Sequence, residues 1–164
     1  VRLREITMTH PRNKLWLVAA VLTGLWLVLP TPSFAEDKPV KEEDEWKKLV
    51  GTWEVAELEA GGQKVPEDNK PSIKLVIKAD KAYEVVTSDS TVKGPLRLNL
   101  KEKPKHMDIE IAEGENQGKV YKAIYELDGE KLRICVDISG ENRPKEFKTE
   151  QGAPVVLIVW KQVK

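Results

Sequence analysis

The chain has 164 residues, with 27 basic and 27 acidic side chains and a single cysteine. That length suits one domain, with enough chain to bury a core without covalent staples. The balanced charge lacks the basic surplus on which phosphate-backbone binding rests, so nucleic acid is not an expected partner, and one cysteine excludes an internal disulfide.

Residues 1–35 read as an export signal. Arg12 and Lys14 precede Leu15 to Leu29, an apolar run without charge. Pro30 and Pro32 follow, and Ser33-Phe34-Ala35 supplies the small residues of a cleavage site. This is the layout of a secretory signal peptide. The alternative is a retained anchor, but the run is shorter than the about 20 apolar residues a span needs. The expectation is cleavage after Ala35, a true start at Met8, and a secreted or periplasmic protein. Loss of Arg2, Arg4, Arg12 and Lys14 against Glu5 alone leaves the remainder weakly acidic.

Residues 36–45 are charged, with one proline, and read as a flexible acidic leader. Glu42 to Leu49 has the pattern of a short helix, with Trp46, Leu49 and Val50 on one face and Gly51 to end it. The domain proper spans residues 46–164. From Thr52 the apolar period becomes two. Strands are expected over Thr52 to Glu59, Ser72 to Lys78, Ala82 to Thr87, Thr91 to Leu100, His106 to Glu113, Val120 to Leu127, Lys131 to Ile138 and Val155 to Val163, with a short one at Phe147. Asp128-Gly129 is a strong hairpin signal. Eight or nine short strands with local connections argue an all-β, antiparallel, up-and-down eight-stranded barrel. Lys74, Glu84, Lys93, Arg97, Asp108, Glu110, Lys122, Glu126 and Arg133 should face outward.

Several segments together resemble a lipocalin-like domain family of unknown function found in exported proteins of planctomycete-type bacteria. They are Trp46 to Val55 (WKKLVGTWEV), Lys64-Val65-Pro66, Lys105 to Ile109 (KHMDI), Gly118-Lys119, Ile124 to Gly129 (IYELDG), Leu132 to Cys135 (LRIC) and Arg143 to Phe147 (RPKEF). The resemblance implies a lipocalin-like barrel and carries no activity. It also implies that Gly51-Thr52-Trp53 opens the first strand, and that Lys161 stands where many lipocalins have an arginine over the indole. Trp46, Trp53 and Lys161 would then close one end of the barrel, through a cation–π contact worth ~0.5–2 kcal/mol. Any binding site would lie at the other end.

The residues offer little catalytic chemistry. Beyond the export segment there is one histidine, His106, and one cysteine, Cys135, too few for an ordinary zinc site, so no metal or other cofactor is expected. No Gly-x-Ser-x-Gly elbow frames a serine, and no glycine loop opens a helix to cradle phosphate. Cys135 lies within an apolar strand pattern and reads as a core residue. The protein is not expected to be an enzyme. Arg143, beside Pro144 in a loop, is a candidate for a ligand carboxylate, against the plainer reading that it pairs with Glu141 or Glu146. Tyr83, Tyr121 and Tyr125 are candidates to line a cavity. The expected function is binding of a small apolar or amphipathic molecule; the alternative is an extracytoplasmic protein-interaction module with a filled core and an envelope protein as partner. A cavity of a few hundred Å3 would favour the first.

Overall fold

A computed structural model describes residues 41–164. The expected export signal over residues 1–35, the expected start at Met8 and residues 36–40 of the expected leader lie outside the described residues. Helix α1 (Glu42–Leu49) comes first, and nine strands follow: β1 (Gly51–Ala60), β2 (Gln63–Lys64), β3 (Lys74–Ile77), β4 (Ala82–Val86), β5 (Thr91–Asn99), β6 (Lys105–Glu110), β7 (Val120–Asp128), β8 (Lys131–Asp137) and β9 (Val155–Gln162). Each strand from β3 to β9 pairs antiparallel with the next, β1 pairs with β3, and β9 returns to β1. The result is a closed eight-stranded antiparallel barrel with one short helix. Strand β2 is a two-residue spur on the end of β1. Among the described residues no helix is long and apolar enough to cross a membrane.

Alternation sets the two faces of the barrel. Trp53 and Val55 of β1, Leu75 and Ile77 of β3, Met107 of β6, Leu132 and Ile134 of β8 and Trp160 of β9 all join one interior cluster. The expected charged positions face outward and pair across strands: Arg97 with Glu110 at 2.8 Å, Arg133 with Glu126 at 2.8 Å, Lys78 with Glu84 at 2.5 Å. A register shift between Val55 and Glu57 kinks β1, as a bulge does. Its first half therefore pairs with β3, and its end leaves that partner for β2. Gly94 sits where β5 passes close to the end of β6; a Cβ there would lie 1.9 Å from the Glu110 carbonyl oxygen. Gly129 holds φ +57°, the left-handed conformation that the two-residue β7–β8 turn requires.

Two expectations need correction. Glu42 to Glu45 fall under two overlapping readings, of which the helix over Glu42–Leu49 holds and the leader does not: they form the first turn of α1, and Glu45 is buried. Phe147 is not on a strand. It belongs to a long β8–β9 connection, residues 138–154, that folds back as a strap over the barrel's outer surface. Beneath it Ile124, Cys135 and Leu157 form a second apolar cluster, with Phe147 and Val155 packed against it. Strands β7 to β9 are thus covered on both faces, as their consecutive apolar residues require.

Candidate functional site: an interior cavity and its mouth

The two ends of the barrel differ because different connections gather there. At one end α1 acts as a plug. Trp46 and Leu49 are buried, and the Trp53 indole N–H donates to the Leu49 carbonyl at 2.9 Å. Glu45 enters the same end, where its Oε1 accepts hydrogen bonds from Lys105 Nζ at 2.6 Å and from the Tyr125 hydroxyl at 3.2 Å. Burial raises the Tyr125 pKa, and the Glu45 carboxylate raises it further. Trp46 and Trp53 both lie at this end, Trp53 fully buried.

Lys161 does not take part in that closure. It follows the buried Trp160 on β9, so it points to the outer face, opposite Glu54 and Lys131 in register, while Trp53 points inward. A one-residue step along a strand reverses the face, which rules out stacking of Lys161 over Trp53. The cation near the plug's indole is Lys81, 5.6 Å from the centre of the Trp46 ring and 3.0 Å from Glu42.

Beyond the plug, the interior holds an apolar cavity of about 140 Å3. Its walls include Ile73, Leu75, Tyr83, Ile134, Ile158 and Trp160. Tyr83, Val85, Ile109 and Val136 also line a cleft of about 620 Å3 at the far end, where the β4–β5 and β6–β7 connections meet. Polar side chains line this mouth, among them Ser90, Thr91, Glu113, Glu115 and Asn116; on the cavity wall the Trp160 indole N–H is buried without a hydrogen-bond partner. Tyr121 lines the mouth, with Lys119 Nζ 4.9 Å above its ring. Tyr83 lies between cavity and mouth. Its hydroxyl is buried without a protein partner, and burial pushes its pKa up to about 12, with Tyr121 adding to the effect. The tyrosines therefore divide: Tyr83 and Tyr121 belong to the cavity and mouth, and Tyr125 to the plug.

Arg143 belongs to neither end. Its guanidinium donates to the carbonyls of Met107 at 3.1 Å and Ala123 at 2.5 Å, and pairs with Asp108. It fastens the strap to the outside of β6 and β7, with Asp108 as partner instead of Glu141 or Glu146. Asp137 anchors the strap's start. Burial alone would raise its pKa, but hydrogen bonds from the Ser139 hydroxyl and the backbone N–H groups of Asn142 and Ser139 hold it below the usual value. Cys135 is buried under the strap; burial pushes its thiol pKa up, the opposite of an activated nucleophile.

The cavity residues Ile109, Val136, Ile158 and Trp160 carry no signal in the sequence beyond inward alternation, which a filled core would share. The chain matches no protein-family description, no curated protein and no solved structure.

Proposed function

We propose that the protein is an exported, non-enzymatic, lipocalin-like barrel that binds a small apolar or amphipathic molecule. The observation that carries this reading is the apolar cavity of about 140 Å3, which shares four wall residues with the polar-rimmed mouth cleft. An eight-stranded barrel has an interior just wide enough to be filled by side chains or to hold one small ligand. The plug at one end and the cleft at the other give such a ligand one route in. Native mass spectrometry of the protein purified from its source tests this. A mass increment that disappears on denaturation is expected. A bare mass in every preparation, with no thermal shift across a panel of apolar probes, would count against it.

A second reading is an extracytoplasmic interaction module that docks an envelope protein on the mouth. It is favoured by Ile138, which lines the cleft and is 53% exposed, and by Val86 at the end of β4, 36% exposed. Co-purification of a protein partner that is lost in Ile138→Asp, with no small molecule bound, would select it.

A further inference from the structure

The interior cavity is narrow in what it can admit. At about 140 Å3 it is close to the roughly 150 Å3 apolar cavity that stays dry and takes benzene or xenon. It is well below the roughly 300–1,000 Å3 of pockets that enclose drug-sized ligands. The inner end is closed: Ile77 and Trp160 form part of its wall, and the Trp53, Trp46 and Leu49 plug stops that end of the barrel. An extended chain therefore cannot run through. Nor can the walls easily give way, because most are isoleucine or valine, stiff at χ1, with the rings of Tyr83 and Trp160; Met107 is the one unbranched, adaptable side chain among them. Among the described residues, hydroxyl, amide and carboxylate side chains line the mouth, on Ser90, Thr91, Glu113, Glu115, Asn116 and Tyr121; on the interior wall the Tyr83 hydroxyl and the Trp160 indole N–H are buried without a hydrogen-bond partner.

We infer that the ligand inserts a single ring, aromatic or alicyclic, into the interior and leaves its polar substituent in the mouth cleft. This rests on the ligand-binding reading above and narrows it to compact ring compounds, excluding long-chain lipids. The cleft supplies hydroxyls, an amide and carboxylates to a substituent such as an alcohol, while the interior selects by size and shape.

The test is calorimetric titration of the full chain with phenylethanol, cyclohexylethanol and decanol, with xenon NMR as an independent report on the interior. The two ring alcohols should bind roughly tenfold or more tightly than decanol, a difference of about 1.4 kcal/mol. They should displace bound xenon, and Val136→Phe, which fills the space, should abolish both effects. Decanol binding as tightly as the ring alcohols would overturn the ring assignment and leave the ligand-binding reading standing. Failure of all three alcohols, with no xenon bound, would overturn both. Ring affinity unchanged in a folded Val136→Phe protein would place the site elsewhere and overturn the inference. If that variant does not fold, the xenon competition in the unaltered chain decides.

Discussion

Trp53 shows how one side chain serves two purposes. Its ring is fully buried, and its N–H satisfies the Leu49 carbonyl at the end of α1. Trp53→Ala should therefore cost roughly 3–5 kcal/mol as a core truncation; a loss under about 1 kcal/mol in denaturant melts would refute its closing role. Tyr83 predicts the opposite. Its hydroxyl is buried without a protein partner, so Tyr83→Phe should leave stability unchanged or raise it by up to about 1 kcal/mol. The two buried tyrosines also set an alkaline limit. The pKa of Tyr83 is raised from 10.0 to about 12, and that of Tyr125 is raised as well. Both hydroxyls favour the neutral form in the folded state. Their contribution to stability is whole below pH 10 and is lost as the pH climbs through the folded values. Unfolding midpoints should fall between pH 10 and 12, with Tyr83 and Tyr125 ionising only above the ordinary range or on unfolding. Ordinary titration of Tyr83 and Tyr125 in the folded protein would contradict their burial.

At the scale of elements, the plug and the strap are held by different physics. The plug depends on a buried ion pair whose two ends are unequal. The Glu45 side chain is 3% exposed and that of Lys105 is 30% exposed. Lys105→Met strands a buried carboxylate and should cost roughly 3–5 kcal/mol, whereas Glu45→Gln leaves a lysine that reaches water and should cost less. Denaturant melts of the two variants check the order. The strap depends on Arg143 and Asp137. Arg143→Ala should lower stability by about 1.5–3 kcal/mol, because it removes charge-assisted hydrogen bonds to Met107, Ala123 and Asp108, and should leave ring-alcohol affinity unchanged. Weakened binding in a fully folded Arg143→Ala protein would restore the arginine to the ligand site.

These elements also show where the sequence could be read. The barrel strands were legible because inward residues alternate with charges, as in Arg97, Asp108 and Glu126, and because Asp128-Gly129 marks a hairpin. The helix was legible from Trp46 and Leu49. The strap was not: Arg143 sits in an irregular loop, and no periodicity says which strand such a loop will cross. A signal was nonetheless present. Ala123-Ile124-Tyr125 and Ile134-Cys135-Val136 are apolar on both faces, which a strand with one solvated face does not tolerate, so a cover over the outside was implied. Lys161 was misplaced because one residue of register decides the face. The cavity was illegible in principle, since Ile109, Val136 and Ile158 would also serve a filled core.

For the whole molecule, closure of β9 onto β1 removes the free edges that open sheets expose, and it divides the barrel into a plugged end and an open one. The segment that best identifies the fold, around Gly51-Thr52-Trp53, lies at the plugged end. The proposed binding site lies toward the other. The most direct measurement is methyl NMR of the labelled protein during titration with phenylethanol. Val85, Ile109, Val136 and Ile158 should shift, while Leu49 in the plug and Ile124 and Leu157 beneath the strap stay still. Shifts at Ile124 and Leu157 with a silent interior would contradict binding inside the barrel.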